Sequence, residues 1–262
     1  MHIVITGSTQ GIGLGLAKEF LKKGHDVLIN GRNTEKTEAV CSRLNDRYPE
    51  NTIIAYSCDV VSYPDVDKMY LYACEKFGSV DIWINNAGMD QKREYVWEQE
   101  PEMMHRIVDV NIKGVLNGTR VASERMRASG GFIYNMEGYG SNDMMGAKMS
   151  IYGMTKRALT YYTLSAAKEV SDTQVKICLL SPGMVVTDLL LSSLPEDPEK
   201  RKKSVKFFHI LADRVEVVTA YLVEGMLKNQ KNGIRIAWLT KRKIMIRFLS
   251  QIVRKRRLEG LE

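Results

Sequence analysis

His2-Ile3-Val4-Ile5-Thr6-Gly7-Ser8-Thr9-Gln10-Gly11-Ile12-Gly13 decides how the chain is to be read. His2 to Thr6 is a short apolar run rich in β-branched residues, the pattern of a buried strand. A helical pattern from Leu14 to Lys23 follows the glycines. Strand, glycine-rich turn and helix in this order form a dinucleotide-binding start. The glycines let the backbone approach a pyrophosphate, which then rests at a helix N-terminus. The spacing is Gly-x-x-x-Gly-x-Gly rather than Gly-x-Gly-x-x-Gly.

The rest of the chain continues the alternation. Strands are expected at 26–30, 52–57, 80–84, 131–136, 175–180 and 233–239, with helices between them. The segment 101–129 reads as one long helix or two abutting ones, and a further helix runs from Ser150 to about Val170. Seven strands alternating with helices predict an α/β fold: a Rossmann-type, doubly wound, seven-stranded parallel sheet with helices on both faces. The segment 184–213 lacks a strong period and reads as a long insertion. It is either a lid over a substrate or a loop packed on the sheet or a partner subunit. Residues 1–240 are expected to form the main domain and 241–262 a tail.

At 262 residues, with 44% hydrophobic and 26% charged content, the chain can bury one sizeable core. Four scattered cysteines and four isolated histidines suggest neither a disulfide framework nor a metal site. Beginning at Met1 directly in a strand, the chain reads as cytoplasmic, without a targeting segment. No apolar run reaches the ~18 residues of a membrane span.

The net charge of +7 is concentrated. Eight Lys or Arg and no acid lie between Lys241 and Arg257, and removing these eight leaves the body at −1. Met245, Phe248, Leu249, Ile252 and Val253 recur at helical spacing within that run. A basic amphipathic helix suits peripheral contact of 241–258 with an anionic membrane. The other reading is a helix docked on its own domain or at a dimer interface, with the basic face solvated. Nucleic acid is not expected, because no aromatic stacking platform accompanies the charge.

Ser150-Ile151-Tyr152-Gly153-Met154-Thr155-Lys156 carries the chemistry. Tyr152 and Lys156 are four apart on one helical face. A phenol titrates near ~10 and a neighbouring ammonium lowers that value, so the pair reads as a tuned acid/base. At the end of the second strand stands Asn30-Gly31-Arg32-Asn33, where a site preferring NAD usually carries an acid. A guanidinium suits a 2′-phosphate instead, so Arg32 points to NADP(H), unless it caps a turn in solvent. Asp59 reads as an adenine contact or a helix cap. Asn111 is a packing residue or a positioned one.

Five signals in order, Thr6-Gly7-x-x-x-Gly11-x-Gly13, Asn85-Asn86-Ala87-Gly88, Asn111, Tyr152-x-x-x-Lys156 and Pro182-Gly183, resemble the short-chain dehydrogenase/reductase family over nearly the whole chain. The resemblance implies that Tyr152 exchanges a proton with the substrate oxygen. Lys156 would lower its pKa and bind the nicotinamide ribose, and Asn111 would hold a relay water. It implies cofactor contacts at Gly7, Ser8, Gln10, Gly11, Ile12 and Gly13; at Arg32, Asp59 and Val60; at Asn85, Ala87 and Gly88; and at Pro182, Gly183, Val185 and Thr187. It also implies a homo-oligomer, dimer or tetramer.

One position departs from the family. The Ser that holds the substrate carbonyl, thirteen residues before the Tyr, is here Tyr139. Ser141, eleven residues before, is the nearest such hydroxyl, so either residue is a candidate for that catalytic role. The stretches 131–141 and 181–191 look like those of chlorophyll b reductases, which implies NADPH-dependent reduction of a formyl or keto group on a large apolar substrate.

Overall fold

A computed structural model describes residues 1–253 and 256–258. The chain runs β1 (His2–Ile5), α1 (Gly11–Lys22), β2 (Asp26–Gly31), α2 (Thr34–Arg47), β3 (Ile53–Ser57), α3 (Tyr63–Phe77) and β4 (Ile82–Asn85). Next come α4 (Pro101–Val108), α5 (Gly114–Arg125), β5 (Gly131–Met136), α6 (Ser150–Glu169) and β6 (Val175–Ser181). The remainder is β7 (Met184–Val186), α7 (Asp188–Leu191), α8 (Pro198–Leu211), β8 (Ala212–Arg214), α9 (Val215–Lys228), β9 (Arg235–Ala237) and α10 (Lys241–Val253).

Seven strands form one parallel sheet in the order β3-β2-β1-β4-β5-β6-β9. The alternating side chains of its central strands explain why helices cover both faces. Ile3 and Ile5 of β1, Val27 and Ile29 of β2, and Ile82 and Ile84 of β4 join one core, with Leu16 and Phe20 of α1 and Leu222 of α9. Val4, Leu28 and Trp83, one residue out of step, join the other, with Met69 of α3, Val121 of α5 and Ala166 of α6. A strand buried on both faces reads as an unbroken apolar run, which is what made His2–Ile5 legible.

The strand order reverses between β1 and β4, and the crevice at such a point is where an open α/β sheet takes its ligand. The 101–129 segment resolves into α4 and α5 joined by one turn of π-helix over Asp109–Lys113. Such turns recur at functional sites, and this one carries Asn111.

The insertion is more ordered than its sequence suggests. β7 and β8 pair in parallel, Met184 opposite Ala212 through Val186 opposite Arg214, and clip its two ends together. Three-residue strands are too short to show a period, so the pattern was invisible. α8 does begin on a readable signal, Asp197-Pro198, with the Asp197 carboxylate accepting from the Lys200 amide at 2.8 Å. The last strand of the sheet is Arg235–Ala237, shorter than the 233–239 expected.

Of the 241–262 tail, residues 254–255 and 259–262, and the side chains of Ile252 and Val253, lie outside the described residues.

Candidate active site

The C-terminal ends of β1 to β6 and of β9 open on one cavity of about 1180 Å³. That exceeds the ~300–1,000 Å³ of a typical small-ligand pocket, leaving space for a cofactor and a substrate together.

One end is built by the glycine turn. Gly7 and Gly11 have φ of +62° and +56°, left-handed values that only glycine adopts freely. A Cβ at Gly13 would overlap the Gly7 carbonyl and the Asn86 amide. Ser8 locks the turn from beneath. Its hydroxyl donates to the Ile5 carbonyl at 2.7 Å and accepts from the Asn30 amide at 2.9 Å. Ser8 is buried and does not line the cavity, so among the expected contacts it belongs to the support. The α1 N-terminus has no side-chain cap, so its amides stay free for an anion.

The β4 end is clamped to this turn. Asn86 donates through its side chain to the carbonyls of Thr6 (2.9 Å) and Gly7 (3.0 Å). The Thr6 hydroxyl accepts the amides of Asn86 and Ala87, each at 3.0 Å. Asn86, Ala87 and Gly88 face the cavity, whereas Asn85 points away from it. The Asn85 amide is buried between Trp83 Nε1 (2.8 Å), the Thr119 hydroxyl (3.1 Å) and Asn135 Oδ1 (2.8 Å). Alternation along the strand forbids both asparagines from facing the ligand, and Asn86, missed in the sequence, takes that place.

Arg32 stands exposed at the rim with Lys36, one helical turn later, whose Nζ donates to the Gln10 side chain. Lys36 was also missed, although Asn33 capping α2 sets its direction. Asp59 lines the cavity beside Val60 but is paired with Arg106 and accepts from the Val61 amide at 3.1 Å. Burial raises its carboxyl; the Arg106 bond, the Val61 amide and the Arg32 charge outweigh this and hold it below the usual range. Pro182, Gly183, Val185 and Thr187 line the opposite wall with Gln10 and Ile12.

At the centre, the first turns of α6 present Tyr152 and Lys156. The Tyr152 amide donates to Gln91 Oε1 at 2.7 Å, which seats the start of the helix. The Lys156 Nζ donates to the Met136 carbonyl at 3.1 Å and lies 5.6 Å from the Tyr152 ring centre. Burial lowers this ammonium to about 8, against the pull of Glu137 and Asp90. Burial also pushes the Tyr152 phenol up, with Asp90 adding to the effect and Arg93 opposing it. The lowering expected from Lys156 is therefore not seen: burial and the Asp90 charge favour the neutral phenol.

Asn111 is buried and fully bonded. Its side chain accepts from the Met89 amide (2.7 Å), donates to the Met89 carbonyl (2.8 Å) and donates to the Thr155 hydroxyl (3.1 Å). Its amide thus ties the π-turn to α6 and does not line the cavity.

Gly138 lies between the Tyr152 and Ser141 hydroxyls. A Cβ there would collide with the Tyr152 hydroxyl, and the Gly138 amide donates to Ser141 Oγ at 3.1 Å. Ser141 lines the cavity, and its own proton goes to the Gly138 carbonyl at 2.7 Å. The Tyr139 hydroxyl bends back over Gly146. Beside them the sequence reading missed two buried-edge ion pairs: Asp90 with Arg93 at 2.6 Å, and Glu137 with Arg235 at 2.8 Å. The substrate end is walled by Met144, Met149, Leu189, Leu190, Phe207 and Phe208.

A family profile described as short chain dehydrogenase matches residues 1–197. The chain belongs to the short chain dehydrogenase family. Among curated members it is 37% identical over 232 residues to the chlorophyll(ide) b reductase NOL of Oryza sativa subsp. japonica, covering 86% of this chain and 66% of that protein. It is 35% identical over 258 residues to the NOL protein of Arabidopsis thaliana, covering 96% and 70%. A longer Arabidopsis relative, NYC1, is spanned over 54% of its length. Among solved members, the 3-ketoacyl-(acyl-carrier-protein) reductase of Brucella melitensis, complexed with NADH, superposes with a TM-score of 0.78 at 25% identity. That match covers 92% of this chain and 98% of the other.

Proposed function

We propose that the protein is an NADPH-dependent carbonyl reductase acting on a formyl or keto group of a large apolar substrate, of the chlorophyll(ide) b type. One observation carries the reading: Tyr152 and Lys156 meet in a single cavity between a glycine anion cradle and an apolar wall. The named activity of the NOL relatives supports the substrate class.

The residues present fit a dinucleotide. The α1 amides and Gly11–Gly13 receive a pyrophosphate, and Arg32 with Lys36 receives a 2′-phosphate, where buried Asn30 replaces the acid that would select a free hydroxyl. When bound, a reduced nicotinamide supplies the hydride. Tyr152 gives its proton to the carbonyl oxygen as the C=O π pair moves onto that oxygen, and an alcohol results. Burial keeps the phenol protonated, the form a donor needs. Lys156, held by Met136 and close to Gly88, orients the cofactor ribose and supplies positive charge near the phenolate left behind.

Ser141 turns its proton from the Gly138 carbonyl to the substrate carbonyl, Asn111 holds the π-turn against α6, and 184–213 closes over the substrate and excludes water. The chain assembles as a homo-oligomer through α5 and α6, whose Leu116, Tyr161 and Leu164 are exposed. Among the described residues, no helix is long and apolar enough to cross a membrane.

The test is NADPH oxidation with chlorophyllide b beside a panel of steroids, quinones and simple aldehydes. Turnover of chlorophyllide b to the hydroxymethyl product supports the reading. Turnover confined to another member of the panel would replace the substrate, and none at all would remove the activity.

A further inference from the structure

The tail helix is docked in the opposite sense to the one its charge pattern suggests. α10 lies against α8, and its contact with the body is cationic. Arg247 turns inward, 2.7 Å from Asp213 Oδ2, and donates to the Leu211 carbonyl at 2.9 Å. Arg256 donates to Asp213 Oδ1 at 2.5 Å and to the carbonyls of Ala212 (2.7 Å) and Ile210 (3.0 Å). Trp238 Nε1 donates to the same buried carboxylate at 2.6 Å.

Held this way, the helix shows its apolar residues to solvent. Met245, Ile246, Phe248 and Leu249 are 59%, 51%, 45% and 59% exposed. Phe207 of α8 is 41% exposed and sits 6.4 Å, ring centre to ring centre, from Phe248. The same two helices carry exposed cations: Lys202, Lys203 and Lys206 on α8, Lys241 and Arg242 on α10. Neither a stable core nor a stray surface leucine accounts for four adjacent exposed apolar side chains on one helix.

We propose that α8 and α10 together form a docking face for an anionic lipid surface. Charge complementarity selects this occupant. The apolar strip would enter the headgroup boundary while the five cations meet lipid phosphates. A second copy seated face to face on the same strip would bring the same five cations against one another, with Glu199 the one acid of α8 and none on the described part of α10 to offset them. The face adjoins the cavity, since Phe207 and Phe208 of α8 and Lys241 and Ile244 of α10 also line it. An apolar substrate dissolved in the lipid would therefore meet the cavity mouth at the membrane. This last step rests on the proposed reductase reading, but the lipid contact does not.

The test is co-sedimentation of the full chain with vesicles of phosphatidylglycerol mixed with phosphatidylcholine, and with phosphatidylcholine alone. Binding to the anionic vesicles that weakens as salt rises is expected. The double variants Phe248→Ser/Leu249→Ser and Lys202→Glu/Lys203→Glu should each weaken it by more than about tenfold. Both pairs lie outside the cavity lining, so the thermal midpoint and cofactor-fluorescence titration should not change. Absence of sedimentation with anionic vesicles, or sedimentation untouched by both double variants, would overturn the proposal. So would a dimer in light scattering that Phe248→Ser/Leu249→Ser dissociates. Vesicle binding is read without turnover, so failure of the reductase assay leaves this result legible.

Discussion

The two halves of the crevice are built by different means. The cofactor half is assembled by backbone and small polar side chains at the ends of β1, β2 and β4, with Thr6, Ser8, Asn30 and Asn86 saturating one another. The substrate half is assembled by two helices and a two-stranded clip between distant segments, pinned on Asp213 and otherwise apolar. Saturated backbone hydrogen bonding leaves the first half one conformation. Few polar ties and much exposed apolar surface leave the second with fewer constraints on its conformation.

The sharpest way to break this comparison is at the hydroxyl between the halves. Tyr152→Phe should lower turnover by roughly 10²- to 10⁴-fold, the usual worth of a positioned proton donor. Cofactor affinity, read by fluorescence titration, should stay near wild type. Substantial residual turnover would move the acid elsewhere, with Tyr139 the next residue to replace.

Asp213→Asn comes second. It leaves the Arg247 and Arg256 guanidinium groups without their anion and should cost about 3 kcal/mol, as breaking a buried pair does. The loss should be local: limited proteolysis should cut within 184–258 while cofactor binding persists. Simultaneous loss of both would show that the halves fold as one unit.

Lys156→Met tests the buried cation. Below pH 8 the lysine is protonated folded or unfolded, and folding bears the full cost of burying it. Between about 8 and its ordinary 10.5 the folded chain releases the proton first, so stability rises with pH. The cofactor-free variant should therefore be more stable than wild type near neutrality by on the order of 1–2 kcal/mol, a gain that disappears above pH 10.5. Chemical denaturation across that range measures it; a constant difference would place the cost in packing instead of charge.

The smallest effect belongs to Arg32→Ala. It should weaken NADPH by about tenfold, and NADH little, because the guanidinium is exposed and screened. The double variant with Lys36→Ala should widen the gap. Equal losses for both cofactors would take the 2′-phosphate away from this rim.

How much of this was legible beforehand differs between the halves for a physical reason. Ile3–Ile5 and the glycines announce themselves because a doubly buried strand must be apolar throughout and a phosphate cradle must lack Cβ atoms. The opposite roles of Asn85 and Asn86 were not legible, because the sequence does not state the phase at which a strand ends. Glu137 and Arg235 were missed because nothing in the sequence marks a pair formed between residues 98 apart, and Asp90 and Arg93, only three apart, because they lie in a loop without a helical or strand period. The β7–β8 clip was missed because three residues carry no period.

The chain's local patterns thus determined by themselves the doubly wound sheet, the glycine cradle and the Tyr152–Lys156 pair, since each follows from steric or periodic demands within a dozen residues. Tertiary structure alone decided which asparagine faces the ligand, that burial keeps the proton on the phenol, and that the tail turns Arg247 and Arg256 in and Phe248 out. Those outcomes depend on charges and surfaces brought together from far apart in sequence, as when Asp213 draws two guanidinium groups beneath it and leaves the hydrocarbon side of α10 nowhere to go but outward.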